Sequence, residues 1–239
     1  MSLSIRPSFS TIMVSYLEWY PGSRKNPVEK FNRAVESWYR QSWKEKELII
    51  VSDGCELTYQ EWYKNWSHIP NIRLIRESKS PDNWPGEHRE RGIIESTGEW
   101  INYLDSDDIY LPDYLERLAE SIEREPNRDA WINMSLTQAV EELPRPNRAV
   151  YVIAKSAIIP QERMGSVDLS EGTVNWVSRD SQSTRYGTST LLHKSWIRGW
   201  KGSPERGEDL QFSDSWSERA GRLYQPGYVI CHLNGWVDL

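Results

Sequence analysis

The feature of this sequence that most constrains its fold is a regular alternation of short apolar runs with segments of helical periodicity. Four runs of β-forming residues occupy positions 9–16, 47–52, 71–75 and 100–104. Segments with helical patterns or helix-end signals follow them at positions 26–38, 58–66, 86–97 and 112–126. Strands that alternate with helices are typical of parallel sheets, because parallel neighbours need a long crossover. The pattern predicts a single α/β domain with a mostly parallel central sheet flanked by helices.

The first helix illustrates the signals on which these predictions rest. Asn26 and Pro27 supply a helix cap and a first-turn proline. The apolar side chains that follow on one helical face are Val28, Phe31, Val35 and Trp38. We therefore expect a helix that begins at this Asn-Pro pair and directly follows the first strand.

The second half of the chain has a weaker pattern. Between residues 135 and 185 polar residues, proline and glycine increase, so we expect a short strand or two and a long loop that orders on ligand binding. Farther on, the pattern predicts a strand over 188–193, a helix over 208–219 and a last strand over 228–233. Neither an internal repeat nor a low-complexity segment is found in the sequence.

Composition excludes several classes of protein. The formal net charge of −6 and the pI near 5.4 argue against a large basic footprint for bulk nucleic-acid binding. No stretch approaches the roughly 18 consecutive apolar residues of a membrane span, so we expect a cytoplasmic protein. Cys55 and Cys231 lack metal-ligand spacing and are expected to be buried free thiols. The sequons at Asn65 and Asn133 are then chance matches.

Three carboxylates follow the fourth predicted strand directly: Asp105, Asp107 and Asp108. Such closely spaced charges repel one another, and Mg²⁺ or Mn²⁺ offsets that repulsion while bridging two phosphates of a ligand. Alternatively, Asp108 caps the next helix and the other two face water. Ligands of open α/β sheets bind beyond the carboxyl ends of the strands, which favours a binding role.

The segment over residues 92–108 resembles a known family. Its sequence, GIIESTGEWINYLDSDD, is similar to the most recognisable segment of the GT-A glycosyltransferases of family 2, in which an Asp-x-Asp motif follows the same strand. Residues 12–16, 49–54 and 206–211 agree with the family in order and spacing. The resemblance implies one GT-A (Rossmann-like) domain over 1–239. Its nucleotide-sugar-binding half spans 9–125, and its acceptor-binding half with the catalytic base spans 126–239.

The same resemblance implies the residues of the donor site. Tyr16 would lie against the base, Asp53 would contact the base or ribose, and Arg89 would face the phosphates. The full set of implied donor contacts is Ser15, Tyr16, Asp53, Arg89, Asp105, Ser106 and Asp107. The implied metal ligands, for Mn²⁺ or Mg²⁺, are Asp107, Asp105 and the late His232.

Three of these positions carry qualifications. His232 stands beside apolar residues, so a core position without a metal is the alternative for it. The family's Asp-Asp-Gly after the second strand is replaced by Ser52, Asp53 and Gly54, and its Arg-Asn pair is replaced by Arg89-Glu90.

The implied chemistry is transfer of a sugar from a nucleotide-diphosphate donor, most often a UDP-sugar in the family. Asp209 matches the family's catalytic base and Glu208 its orienting neighbour, although the pair alone is also typical of the acidic start of a helix. One base opposite the leaving group predicts inversion at the anomeric carbon.

Three alternatives to this chemistry are considered, of which the first stays open and the other two are less favoured. A non-catalytic sugar- or nucleotide-binding module would share the fold. A nucleotidyltransferase or pyrophosphorylase would need a glycine-rich phosphate loop, which residues 20–25 do not provide. Residues 182–186 are similar to an element of processive polysaccharide synthases but precede Asp209 instead of following it, so we predict a single-transfer enzyme.

The acceptor is not identified by the sequence. A basic, aromatic-rich run would suit a nucleic acid or lipid phosphate, but a solvated face of an acidic protein is the favoured interpretation. This run comprises Arg185, His193, Lys194, Arg198, Lys201 and Arg206, interleaved with Tyr186, Trp196 and Trp200. The acceptor classes considered are a glycan, a lipid-linked sugar and a modified nucleic-acid base. No obligate protein partner is inferred.

Overall fold

The structure is a computed structural model that describes the first half of the chain in detail. It describes residues 6–20, 23, 26–80 and 85–127 with their side chains. Beyond residue 127 it describes the backbone of six strands, over 130–141, 149–155, 165–169, 172–179, 190–193 and 221–231. No helix within this described part is long and apolar enough to span a membrane.

The first half of the chain forms a parallel sheet with helices between the strands. Its strands are β1 (Phe9–Ser15), β2 (Lys46–Asp53), β3 (Ile72–Glu77) and β4 (Trp100–Tyr103). Its helices are α1 (Pro27–Tyr39), α2 (Glu56–Asn65), α3 (Gly86–Ile94) and α4 (Tyr114–Arg124), and a short strand β5 (Ile109–Tyr110) precedes α4. The strand order is β3-β2-β1-β4, so the chain reverses direction across the sheet between β1 and β4. In open α/β sheets this switch point is where ligands bind.

The second half extends the same sheet with strands of mixed direction. These strands are β6 (Ala130–Glu141), β7 (Ala149–Lys155), β8 (Gly165–Leu169), β9 (Gly172–Arg179), β10 (Thr190–His193) and β11 (Gly221–Cys231). The order continues from β4 through β10-β6-β7-β9-β8, with β10 antiparallel to β4. Strand β11 pairs in parallel with β6 and antiparallel with β5, which ties the two halves of the chain together.

The predicted fold class is confirmed, but several boundaries and one segment were wrong. The expected loop over 135–185 instead holds the end of β6 and the whole of β7, β8 and β9. Strand β7 pairs with β9 and not with β8, the next strand along the chain, and local periodicity carries little information on such pairing. The last strand was placed at 228–233, whereas β11 begins at Gly221. The helix expected over 208–219 lies outside the described residues.

Helix α1 packs its apolar face on the parallel sheet. Phe31, Val35 and Trp38 are fully buried, and the indole nitrogen of Trp38 donates to Thr11 Oγ1 in β1 at 2.9 Å. Pro27 begins the helix as predicted. The predicted side-chain cap at Asn26 was wrong, because its backbone is left-handed (φ 56°) and its side chain makes no capping hydrogen bond.

Glu47 connects three strands to the loop that follows α3. Its carboxylate accepts hydrogen bonds from Ser10 Oγ at 2.6 Å, from Arg73 Nη2 at 2.8 Å, and from the backbone and hydroxyl of Thr97 at 2.6 and 2.8 Å. Burial alone would raise the pKa of Glu47, but these bonds outweigh it and lower the pKa to about 2. Because Thr97 donates to this carboxylate, the helix predicted to reach residue 97 ends earlier, at Ile94.

Two glycines allow the close approaches that shape the site. A Cβ atom at Gly92 would lie 2.5 Å from Cγ2 of Ile12, so glycine lets α3 rest directly on β1. Gly54 has a positive φ of 63°, and a Cβ there would lie 2.5 Å from the backbone nitrogen of Lys79. The first contact brings the start of α3 to the carboxyl ends of the strands, and the second brings Lys79 beside the end of β2.

Candidate nucleotide and metal site

Two adjoining clefts open at the switch point between β1 and β4. Their volumes are about 330 Å³ and 260 Å³. Both are lined by Tyr16 and Tyr20, from the segment after β1, and by residues 105–107, from the segment after β4. The larger cleft adds Lys30 of α1, and the smaller adds Asp53 at the end of β2. The sequence-predicted donor residues therefore converge on one edge of the sheet.

The three aspartates after β4 lie on a tight turn. The backbone N–H of Asp108 donates to the carbonyl of Asp105 at 3.0 Å, and Arg33 Nη2 donates to the carbonyl of Asp107 at 3.0 Å. Asp105, Ser106 and Asp107 are half-buried and line both clefts, whereas Asp108 is buried and lines the larger cleft alone. Asp108 does not cap α4, whose N-cap residue is Asp113. Asp105 and Asp107 are thus the two aspartates of the turn that both clefts share.

Arg89 from α3 partly neutralises this acidic turn. Its guanidinium Nη2 lies 3.2 Å from Oδ1 of Asp105, and its side chain is only 9% exposed. Asp105 is 38% exposed, so it contacts Arg89 and the open cleft at the same time. The smaller cleft is lined by both residues. The guanidinium group of Arg89 therefore lies where the phosphates of a nucleotide-diphosphate donor would pass.

The donor set of this turn suits a hard divalent cation. Asp105 and Asp107 offer carboxylate oxygens on one side of the clefts, and Mg²⁺ typically takes one or two protein carboxylates and completes its shell with phosphate oxygens and water. Within the described part of the chain no group of three or more histidine, cysteine, aspartate or glutamate side chains forms a complete metal cluster. His232 lies outside the described residues.

Tyr16 forms an aromatic wall shared by the two clefts. Lys79 Nζ lies 3.6 Å from the centroid of the Tyr16 ring, and Tyr20 meets the ring edge to face at 5.9 Å between centroids. An aromatic face of this kind stacks on a nucleobase, and the ammonium group above it adds a hydrogen-bond donor. The predicted position of Tyr16 at the donor site is consistent with this geometry.

The carboxylate of Asp53 accepts three hydrogen bonds at the end of β2. Its Oδ1 accepts from the backbone N–H of Ser80 at 2.6 Å and from His88 Nε2 at 2.7 Å, and its Oδ2 accepts from Lys79 Nζ at 2.8 Å. Burial would raise the pKa of Asp53, but the bonds from Lys79, Ser80 and His88 hold the pKa below its ordinary value. Asp53 is therefore an ionised acceptor, and His88 Nε2 must carry the hydrogen of their shared bond.

The remaining predicted residues differ in where they lie. Ser15 is buried at the end of β1, and its hydroxyl pairs with Thr58 Oγ1 at 3.1 Å, so its side chain lines neither cleft. The catalytic pair Glu208 and Asp209 lies outside the described residues. Of the two cysteines expected to be buried free thiols, Cys55 is confirmed as one.

Sequence reasoning missed three residues of the site: Lys30, Lys79 and His88. Lys30 carried a usable signal, because it stands among the buried positions of α1 and is only 2% exposed. A cation on the apolar face of a helix is a reason to look for an anionic partner. Lys79 and His88 carried no such signal, because their meeting with Asp53 depends on the tertiary packing at Gly54 and Gly92.

The fold defines an α/β protein with two adjoining clefts at the switch point of its sheet, where ligands of open α/β sheets bind. The model of the family named Glycosyl transferase family 2 matches residues 11–181, which is more than half of the chain. The chain belongs to glycosyl transferase family 2. The predicted family is thereby confirmed, and the predicted enzyme class, a glycosyltransferase, agrees with it.

Curated relatives match part of the chain at modest identity. An uncharacterized glycosyltransferase of Escherichia coli, YibD, is 30% identical over 94 residues, which are 39% of this chain and 26% of the relative. The succinoglycan biosynthesis protein ExoO of Rhizobium meliloti is 34% identical over 95 residues, which are 40% of this chain and 26% of the relative. The matched stretch thus covers about a quarter of each of these two proteins.

A solved structure confirms the fold over nearly the whole chain. The crystal structure of Staphylococcus aureus TarS residues 1–349 superimposes with a TM-score of 0.66 at 16% identity, covering 94% of this chain and 60% of that fragment. The same TarS fragment has been solved in complex with UDP-GlcNAc, with a TM-score of 0.66. At this identity the likeness establishes the GT-A type of fold.

Proposed function

We propose that this chain is the catalytic domain of an inverting, metal-assisted glycosyltransferase that moves one sugar per turnover from a nucleotide-diphosphate donor to an acceptor hydroxyl. The observation that carries the proposal is the turn at 105–108, which presents Asp105 and Asp107 to clefts shared with Tyr16 at the switch point of the sheet. Family membership supports the reaction class. The complex of TarS with UDP-GlcNAc supports a UDP-sugar as the first donor to test.

The geometry suggests how a donor lies across the edge of the sheet. The base stacks on Tyr16 and meets the carboxylate of Asp53, so it occupies the smaller cleft. The diphosphate then runs past Arg89 toward Asp105 and Asp107, which line both clefts. The sugar follows into the larger cleft or beyond it. This order places negative phosphates beside a guanidinium and beside the two carboxylates that would bind a metal.

The two aspartates would hold Mn²⁺ or Mg²⁺, with Asp107 as the principal ligand and Asp105 shared between the metal, the ribose and Arg89. A bound divalent ion supplies Lewis-acid stabilisation of the departing nucleoside diphosphate. Asp105 and Asp107 are pre-positioned for this role, because Arg33 and the turn bond of Asp108 fix the backbone between them. Fixed groups stabilise developing charge without reorganising during the reaction.

The second half of the chain would supply the acceptor site and the base. In this proposal residues 9–125 bind the donor and residues 126–239 bind the acceptor. Asp209 takes the proton of the attacking hydroxyl, Glu208 orients Asp209, and His232 completes the metal shell. Attack opposite the leaving group gives inversion. The acceptor classes are a glycan, a lipid-linked sugar and a modified nucleic-acid base, and a cytoplasmic location follows the expectation from the sequence.

Metal-dependent binding of UDP tests the donor half of this proposal directly. Calorimetric titration of the protein with UDP in Mn²⁺ should give one site, and in EDTA the affinity should fall about tenfold or more, because the diphosphate loses its bridge to Asp105 and Asp107. Magnesium should restore binding. Equal affinities in Mn²⁺ and EDTA would contradict the metal role, and no binding in either would contradict the placement of the donor.

A further inference from the structure

The hydrogen bonds around Asp53 leave its two oxygens unequal. Among the described residues, Oδ1 accepts from the backbone of Ser80 and from His88 Nε2, and Oδ2 accepts from Lys79 Nζ alone. An ionised carboxylate has about four lone-pair directions, two on each oxygen. Both directions of Oδ1 are therefore in use, and one direction of Oδ2 remains for a ligand.

His88 is placed firmly enough to keep Oδ1 occupied. Its side chain is 8% exposed, it stands in the first turn of α3, and it contacts an Asp53 side chain that is 7% exposed. Helix α3 is pressed against β1 at Gly92, so this first turn has little freedom to move. The bond between His88 and Asp53 is therefore a permanent feature of the cleft wall.

Lys79 supplies a donor next to the one available acceptor. Its ammonium group lies 2.8 Å from Asp53 Oδ2 and 3.6 Å from the centroid of the Tyr16 ring. An ammonium carries three hydrogens, so one bond to Asp53 leaves others for a ligand. A base stacked near Tyr16 would meet one donor and one acceptor side by side.

We propose that His88 is a specificity residue for the nucleobase, because by occupying Oδ1 of Asp53 it leaves the carboxylate one acceptor and so disfavours bases that present two adjacent N–H donors. This inference rests on the proposed donor site. The imide edge of uracil fits, with its N3–H on Oδ2 and a carbonyl on Lys79. Cytosine and adenine also present one amino N–H beside a ring acceptor, so His88 does not discriminate against them.

Guanine is the base whose binding depends on whether Oδ1 of Asp53 is occupied. Its N1–H and O6 match Oδ2 and Lys79 as uracil does, but its 2-amino group needs a further acceptor, which the occupied Oδ1 does not provide. A buried donor without a partner weakens binding substantially. Hypoxanthine has the same N1–H and O6 edge without the amino group. Inosine diphosphate and GDP therefore differ only in the group that His88 is proposed to exclude.

The test is a set of calorimetric titrations in Mn²⁺ with UDP, inosine diphosphate and GDP. Wild-type protein should bind inosine diphosphate about fivefold or more tightly than GDP, because GDP buries an unpaired amino group. His88→Leu should bring the two affinities together, since Oδ1 regains an acceptor direction. His88→Gln, whose amide can donate to Oδ1, should keep the wild-type ratio. His68→Leu, which changes an exposed histidine, is the matched control.

Each result of these titrations supports or overturns the proposed role of His88. Equal wild-type affinities for inosine diphosphate and GDP would overturn the role of His88 even if UDP binds, and this comparison needs no folded variant. A folded His88→Leu protein that still discriminates would overturn the role as well. UDP binding without detectable binding of inosine diphosphate would also overturn it, because hypoxanthine presents the same N–H and carbonyl edge as uracil. Failure of the wild-type protein to bind any of the three nucleotides would instead overturn the proposed donor site, and with it this inference.

Discussion

Replacing Asp107 with alanine is expected to lower Mn²⁺-dependent turnover of the nucleotide-sugar donor by about 100-fold or more. In the proposed mechanism this carboxylate is the principal protein ligand of the metal that stabilises the departing diphosphate. The substitution removes charge where charge develops in the transition state. The measurement is release of nucleoside diphosphate at saturating metal, with the dependence on metal concentration recorded for both proteins.

The fold should tolerate this substitution, so the loss can be assigned to the site. Arg33 binds the backbone carbonyl of Asp107, and the turn bond from Asp108 to Asp105 is also made by the backbone. Asp113→Ala is the matched control, because that carboxylate begins α4 and is 60% exposed in an ion pair with Arg117. If Asp107→Ala turned over donor at the wild-type rate, Asp107 would not be the principal metal ligand.

Replacing Asp209 with asparagine is expected to lower sugar transfer by about 1000-fold while leaving UDP affinity in Mn²⁺ unchanged. Asparagine has nearly the same shape as aspartate but cannot take the proton of the acceptor hydroxyl. In the proposal the donor binds the segments after β1, β2 and β4, and Asp209 acts on the acceptor. Rates of transfer and calorimetric affinities, measured on the same preparation, separate the two effects.

The matched control is Asp214→Asn, a nearby aspartate that resembles no family motif. It should retain wild-type transfer. Should Asp209→Asn also transfer sugar at the wild-type rate, the assignment of the base would be wrong. Should the wild-type protein bind UDP yet transfer no sugar to any acceptor of the three classes, the non-catalytic binding module would become the better account.

The sequence predicts the first half of the fold well, because each strand and helix there has its own local pattern of apolar residues. Strands β1, β2 and β4 are buried along their length, so they read as short apolar runs. Helix α1 carries Phe31, Val35 and Trp38 on one face. The carboxylates after β4 were predicted to lie at the ligand edge because the ends of parallel strands meet there.

The rest escaped prediction because it depends on contacts between distant residues. Strands β7 and β9 pair with each other in parallel, although about 20 residues separate them in sequence. The sequence around them has no helical pattern that would indicate parallel strands. Asn26 looked like a cap, but its left-handed backbone removes that role. His88 looked like an ordinary helix residue, and only the approach of α3 to the sheet brings it to Asp53.

The measurement that tests the central claim most directly is release of nucleoside diphosphate from a panel of nucleotide-sugars, in Mn²⁺ and in EDTA, without an added acceptor. The account predicts slow hydrolysis of one UDP-sugar in Mn²⁺, lost in EDTA and in Asp107→Ala. Hydrolysis that proceeds equally in EDTA, or release from no donor in the panel even after glycan, lipid-linked sugar and modified-base acceptors are added, would contradict it.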